Sequence, residues 1–164
     1  MNSPWPERLD LIVFDFDGVM TDGRVLVMAD GSEGVMCNRS DGLGIDFLRD
    51  ANIPMLILST ETNPVVAARA RKLQLPVIHG VKDKAALLAQ HLSDHGISPA
   101  NVAFVGNDNN DLGCLKLAGL SVVVADAYPD VIEVADIILK NKGGHGAVRE
   151  FCDLILKHYS ETTT

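Results

Sequence analysis

The chain predicts an α/β fold, an open parallel sheet with helices on both faces. Two observations carry that prediction. Short apolar runs rich in β-branched residues alternate with segments of helical periodicity. Polar and acidic residues gather immediately after the apolar runs, where ligands bind in such sheets.

The first run is Leu9–Phe14, with the length and composition of a buried strand. It ends in Asp15-Phe16-Asp17-Gly18. In an extended chain the two carboxylates would point the same way, but Gly18 lets the backbone turn just past the strand. A calcium loop is the competing reading of D-x-D-G. That loop needs a preceding helix and a Glu at its twelfth position. Here a strand precedes it, and counting from Asp15 puts Leu26 at twelve.

Val25–Met28 and Gly34–Cys37 flank the turn Ala29-Asp30-Gly31-Ser32, a hairpin signature. Its apolar strands do not alternate with polar residues, so the hairpin should bury itself against its own domain or another subunit, the subunit being favoured. A helix follows to about Ala51, with Asp41 as its expected N-cap and Ile45, Phe47 and Leu48 as apolar positions. Pro54–Leu58 is the next strand. It ends in Ser59-Thr60-Glu61 before a helix over Val65–Leu73, which makes either an anion cradle or a simple N-cap.

Pro76–His79 reads as a third strand. Lys82 and Lys84 then stand at a helix start, where the helix dipole disfavours cations. A bound phosphate would account for them, as would plain surface exposure. Asn101–Val105 is the fourth strand, followed by Gly106-Asn107-Asp108-Asn109-Asn110-Asp111 and a helix. Carboxylate and amide oxygens of this kind suit Mg²⁺, and turn capping is the alternative. Leu120–Val124 and Ile137–Leu139 supply further strands around a short helix near Val131–Ala135. Gly143-Gly144-His145-Gly146 leads to a last helix, Ala147–Tyr159. Residues 1–8 read as a loose lead-in, and 160–164 should fray.

The 164 residues fit one domain, 1–164, with the hairpin inserted at about 24–38. Net charge is −8 without a Lys/Arg cluster, which argues against nucleic acid or an anionic membrane as partner. An acidic chain that handles an anionic substrate needs a cation, which points to a metal. Cys37, Cys114 and Cys152 suit neither a disulfide framework nor a zinc site and read as reduced core thiols. No signal peptide or long apolar span is evident, so a cytoplasmic location is expected.

The order Asp15-x-Asp17-Gly18, Ser59, Lys84, Gly106-x-Asp108-x-x-Asp111 resembles the haloacid dehalogenase phosphatase superfamily. DFDGVMTDG, the hairpin, SDGLGI, GVKDK and GGHGAVREF extend the likeness over nearly the whole chain. They resemble the capless, tetrameric branch that holds the 3-deoxy-D-manno-octulosonate 8-phosphate and nonulosonate 9-phosphate phosphatases. The phosphatase-like domain of some acylneuraminate cytidylyltransferases belongs there too. The resemblance implies a Rossmann-like sheet without a cap domain, a homotetramer and a small sugar-acid phosphate as substrate.

It also implies roles. Asp15 would be the nucleophile and Asp17 the acid and base, while Ser59 and Lys84 would hold phosphoryl oxygens. Mg²⁺ would sit among Asp15, the Asp17 carbonyl and Asn107, supported by Asp111 or Asp108. Thr60, Glu61, Arg69, Lys72 and Arg149 match substrate-side positions, and Glu61 resembles the nonulosonate enzymes, since the octulosonate ones typically carry Arg there. The chain departs from the family pattern in Asn107, usually Asp, and in Ser59-Thr60, usually Thr-Gly. Asn107 leaves a second reading, a catalytically weak oligomerisation or regulatory module beside a cytidylyltransferase. A phospho-receiver domain fits poorly, because His79 rather than an Asp ends the third strand.

Overall fold

The computed structural model describes residues 4–161. Six strands form one parallel sheet: β1 (Leu11–Phe14), β4 (Met55–Leu58), β5 (Val77–Ile78), β6 (Val102–Gly106), β7 (Leu120–Val123) and β8 (Ile137–Ile138). Their order is β5-β4-β1-β6-β7-β8. The remaining two, β2 (Thr21–Val27) and β3 (Glu33–Cys37), pair antiparallel as the separate hairpin.

The chain starts at the middle of the sheet. From β1 it runs outward through α1 (Arg39–Asp50), β4 and α2 (Val65–Leu73) to β5. It then recrosses through α3 (Lys84–Asp94) to β6, and goes out the other way through α4 (Leu112–Leu117), β7 and α5 (Pro129–Ile132) to β8. Right-handed crossovers running in opposite directions put their helices on opposite faces. Accordingly α1 packs with α6 (Ala147–Glu161), and α3 packs with α4. No cap domain is present among the described residues.

Every residue of β1, β4, β6 and β7 is buried, as strands covered on both faces require. Phe14 stands level with Ile57 of β4 and Val105 of β6. The loops after these three strands therefore open side by side, at the point where the strand order reverses. Ligands bind at that point in doubly wound sheets.

Several local expectations change. The N-cap of α1 is Asn38, whose side chain accepts from Ser40 N at 2.9 Å, so the helix begins two residues before Asp41. Asn, Ser and Asp cap about equally well, and three of them crowd this stretch. Asp41 is instead a buried first-turn residue. Phe47 faces outward at 37% exposure, leaving Ile45 and Leu48 as the inward face of α1. The hairpin begins at Thr21 rather than beyond Gly23, with an irregularity between Thr21 and Val25. β5 and β8 are two-residue edge strands, and α5 starts at Pro129. The lead-in is held at Trp5, which stacks on His158 and Phe151 of α6. Helix α6 continues through Ser160 to Glu161, while residues 1–3 and 162–164 lie outside those described.

Candidate active site

Asp15 follows β1 directly and is 4% exposed. Its backbone N–H donates to Val105 O, which fastens the strand end to β6. Lys84, the first residue of α3, is fully buried and reaches across to it. Lys84 Nζ donates to Asp15 Oδ1 at 2.6 Å and to Asp111 Oδ1 at 2.7 Å. That placement accounts for a cation at a helix N-terminus: two carboxylates offset the dipole. Asp83 caps the helix, accepting from Ala86 N. Lys82 remains an exposed residue.

Asp111 is shared between two tasks. Its Oδ1 takes Lys84, and its Oδ2 accepts the N–H of Asn107 at 2.9 Å and of Asp108 at 3.4 Å. It thus folds the loop after β6 back toward β1. Asp108 spends its Oδ1 on the N–H of Asn109 and lines the cavity at the half-buried edge.

The Asn107 side chain ends 3.0 Å from the Asp17 carbonyl oxygen and 3.1 Å from Asp15 Oδ2. With its nitrogen turned there, the amide donates to both. With its oxygen turned there, three oxygens converge, an arrangement that a cation, or a proton on Asp15, stabilises. Gly18 makes the approach possible. It has φ +80°, and a Cβ on it would lie 2.1 Å from the Asn107 amide.

The charges of the site suit a divalent cation. Burial pushes the Asp15 carboxyl up to about 8, and the charge of Asp111 pushes the same way against the opposing pull of Lys84. One ammonium cannot balance two buried carboxylates. Burial pulls the Lys84 ammonium toward a lower proton affinity, but Asp15 and Asp111 together hold it above the usual lysine value. A divalent cation at Asp15 Oδ2 would return Asp15 to the ionised form. Among the described residues no three His, Cys, Asp or Glu side chains surround one point. The fit rests on one carboxylate, one carbonyl and one amide, a donor set Mg²⁺ accepts with water completing its shell.

Asp17 is half-buried beside this group. Burial raises its carboxyl, with the charges of Glu61 and Glu33 adding, while the Thr21 hydrogen bond and Lys84 offset part of the effect. A raised carboxyl holds a proton for a leaving group. Ser59 follows β4 directly, is 1% exposed, and its Oγ accepts from Glu61 N at 3.1 Å, leaving its own hydroxyl proton to donate. Thr60 is exposed at the rim.

These groups open into a cavity of about 390 Å³. A second cavity of about 280 Å³ adjoins it, sharing Asp17, Gly23 and Arg24. Glu61 lines the second, though its Oε1 caps Thr62 N and Asn63 N at the start of the next helix.

The other expected substrate-side residues lie elsewhere in the single chain. Arg69 Nη2 donates to Asn38 O, and with Lys72 it lines a separate groove of about 490 Å³ between α1 and α2. Arg149 pairs with Asp153 and lies 5.1 Å over the Phe47 ring. The glycine turn before α6 packs against the catalytic loop of its own chain. Gly144 N donates to Val19 O, and a Cβ on Gly143 would strike Gly18 O at 1.9 Å.

Asp22, Arg24, Asp126 and Tyr128 also line the main cavity and were not among the expected residues. Asp126 and Tyr128 follow β7 as polar loop residues, the signal already used at the other strand ends. Arg24 carried no such signal, because its hairpin reads locally as an apolar ribbon.

The family described as haloacid dehalogenase-like hydrolase matches residues 58–151, which carry Ser59, Lys84, Asn107 and Asp111. A 3-deoxy-D-manno-octulosonate 8-phosphate phosphatase of Salmonella typhi is 37% identical over 151 residues, 92% of this chain and 80% of that protein. An N-acylneuraminate cytidylyltransferase of Danio rerio is 35% identical over 155 residues, but the match spans only 36% of that longer protein. A crystal structure of an HAD family hydrolase from Streptomyces avermitilis superposes with a TM-score of 0.87 at 51% identity, covering 91% of this chain and 86% of that one. A 3-deoxy-D-manno-octulosonate 8-phosphate phosphatase from Moraxella catarrhalis, solved with magnesium ion, phosphate ion and KDO, superposes at 0.88 with 31% identity, covering 95% and 94%. Sequence and fold thus agree along the same strand-end loops that hold Lys84 against Asp15, and the chain belongs to the haloacid dehalogenase-like hydrolases, as a phosphatase of the 3-deoxy-D-manno-octulosonate 8-phosphate phosphatase branch.

Proposed function

We propose that the protein is a Mg²⁺-dependent phosphomonoester hydrolase that acts on a small sugar-acid phosphate, a 3-deoxy-ulosonate or nonulosonate phosphate. The observation that carries this reading is the buried Lys84 ammonium 2.6 Å from Asp15, beside an Asn107 amide that meets Asp15 Oδ2 and the Asp17 carbonyl where a divalent cation would fit. Named relatives that act on octulosonate 8-phosphate support the substrate class.

The chemistry follows from the side chains. An Asp15 carboxylate oxygen attacks phosphorus, forming a P–O bond as the bond to the sugar oxygen breaks. Asp17 gives its proton to that departing oxygen. Asp17, now a carboxylate, takes a proton from water, and the water attacks the aspartyl phosphate to release inorganic phosphate and free Asp15. Lys84 and Ser59 neutralise and orient the phosphoryl oxygens. Mg²⁺ held by Asp15, the Asp17 carbonyl and Asn107, with Asp111 bracing the loop, would supply charge that lets two anions meet.

We also take the working unit to be a homotetramer joined through the hairpin. Val25–Met28 and Met36 are all more than half exposed, an apolar patch one chain leaves uncovered. Three free, neutral thiols suit a reducing cytoplasm. Among the described residues no helix is long and apolar enough to cross a membrane.

The test is a screen of sugar-acid phosphates with and without Mg²⁺, on wild type and Asp15→Asn. Phosphate release that needs Mg²⁺ and vanishes in Asp15→Asn is expected. Substantial turnover by pure Asp15→Asn protein would sink the nucleophile assignment. A wild type inert on every phosphomonoester would favour the alternative suggested by the cytidylyltransferase relative, a catalytically weak module.

A further inference from the structure

We infer that His91 and His95, at the end of α3 opposite Lys84, form a second metal site, one that takes a transition-metal ion such as Zn²⁺ or Ni²⁺ rather than Mg²⁺. His91 stands in the last turn of α3 and His95 is its C-cap, four residues on, so the two share one face of the helix. Their rings lie 4.2 Å apart, centre to centre, with a 35° tilt. A tetrahedral ion that holds imidazole nitrogens at about 2 Å spans two of them about 3.3 Å apart. Rings this close need only turn about their side-chain bonds to present their nitrogens at that spacing.

One ring is already fixed as a ligand's ring is. His95 Nδ1 lies 2.8 Å from the His91 carbonyl oxygen. A carbonyl only accepts, so Nδ1 carries the proton, and Nε2 of the neutral ring keeps its lone pair. Metal-bound histidines hold their other nitrogen in this way. The backbone N–H of His95 donates to the same carbonyl at 3.2 Å, so main chain and side chain are both tied to residue 91. His95 is exposed and His91 is half-buried. Burial and the neighbouring His95 lower the proton affinity of His91, against the opposing charge of Asp94. His91 is therefore neutral at neutral pH, the form that binds metal.

The surroundings favour a cation. The pair closes the C-terminal end of α3, where the helix dipole is negative. Asp94 stands beside it, accepting from Gln90 Nε2 at 2.6 Å while its charge reaches His91. No third His, Cys, Asp or Glu closes on the same point among the described residues, so water completes the shell and the ion exchanges freely. Imidazole suits Zn²⁺, Ni²⁺ and Cu²⁺, whereas Mg²⁺ takes oxygen. The pair thus differs from the Asp15 site in both its ligands and its choice of ion. α3 has 11 residues and is about 16 Å long, which separates the two sites by most of its length. An ion on the pair pins the last turn of the helix whose first residue enters the active site.

The experiment titrates Zn²⁺ by calorimetry into Mg²⁺-saturated wild type, His95→Ala and the His91→Ala/His95→Ala double variant. The imidazole nitrogen resonances of His91 and His95 are followed by NMR in the wild type. The wild type should bind one more Zn²⁺ per chain than the double variant, with micromolar affinity, and His95→Ala should hold that ion roughly tenfold or more weakly. Both rings should shift with Zn²⁺ and stay in place with Mg²⁺ at the same concentration. Equal Zn²⁺ stoichiometry and affinity in wild type and double variant would overturn the site. So would Zn²⁺ that shifts neither ring, or only one. Rings that respond equally to Mg²⁺ would overturn the choice of ion. The ring resonances of the wild type decide the matter even where a variant fails to fold.

Discussion

Lys84 Nζ lies 2.6 Å from Asp15 Oδ1, and neither side chain has more than a trace of solvent contact. The pair spans the sheet from a helix start to a strand end, so it joins folding to chemistry. Replacing one partner of a buried ion pair leaves the other charge stranded.

Lys84→Met should therefore fail in two ways. Phosphatase activity should drop about 100-fold or more, since a fixed cation facing the phosphoryl group is lost. Stability at neutral pH should fall by about 3–5 kcal/mol, because Asp15 and Asp111 then face each other unpaired. Denaturant unfolding and a turnover assay on the same preparation check both. Normal stability would mean that the buried ammonium is not what balances Asp15.

Asp41 sets a second expectation. Burial pushes its carboxyl up to about 6, against the Arg149 N–H it accepts and the nearby Arg69 charge. Its other oxygen, Oδ2, is buried without a partner. A folded-state value above the ordinary 3.8 means that the folded chain binds the proton more tightly. Asp41 therefore favours the fold below about pH 4, and that contribution is lost as pH rises through about 6. Between these values stability should fall with rising pH by on the order of 1–3 kcal/mol from this group. Asp41→Asn should flatten that part of the profile, as read by thermal or denaturant unfolding at several pH values. Superimposable profiles for the two proteins would contradict the assignment.

What could be read from the chain follows from the physics of each segment. β1 and β6 were legible because a strand buried on both faces is uniformly apolar. The bounds of α2, Val65–Leu73, match the reading, with Pro64 marking the start, and the structure shows Gln74 ending the helix in a left-handed conformation. Lys84 drew notice by standing where a helix dipole disfavours it, and its two buried carboxylates supply the reason. The N-cap of α1 was not legible, because Asn38, Ser40 and Asp41 are competing caps and only tertiary burial separates them. Arg69 and Arg149 match substrate-side positions, yet long side chains settle where partners lie. One bonds the Asn38 carbonyl, and the other pairs with Asp153. Arg24 was not legible as a cavity residue, because the walls it joins are drawn from separate loops.

The hairpin offers a test of assembly. Leu26 is 66% and Met36 68% exposed, and the ribbon touches its own domain through Glu33 Oε2, which accepts from Asn63 Nδ2. Such a surface should be covered by other copies of the chain. Light scattering should find a tetramer in the wild type and smaller species in the Leu26→Asp/Met36→Asp double variant. A wild type that stays monomeric at micromolar concentration would remove the hairpin from the interface.

Asn107 brings the metal question to a single atom. Its side chain ends 3.0 Å from the Asp17 carbonyl and 3.1 Å from Asp15 Oδ2. A neutral amide there can cross between two states. Its nitrogen can donate to both oxygens when no cation is present, and its oxygen can face a cation when one is. Asn107→Asp loses the first option. Without metal it adds a carboxylate beside an Asp15 already pushed up to about 8, so the metal-free protein should be less stable than wild type. With Mg²⁺ the added charge becomes attractive, and binding should tighten by on the order of 1–3 kcal/mol where the site is partly shielded from water. The tighter site also takes net positive charge away from the phosphate dianion, so turnover need not rise with affinity. Mg²⁺ titration by calorimetry, paired with unfolding curves in chelator and in Mg²⁺, reads all of this. Unchanged Mg²⁺ affinity in Asn107→Asp would remove Asn107 from the metal's ligands, and Asp108, at the edge of the same cavity, would be the next residue to test.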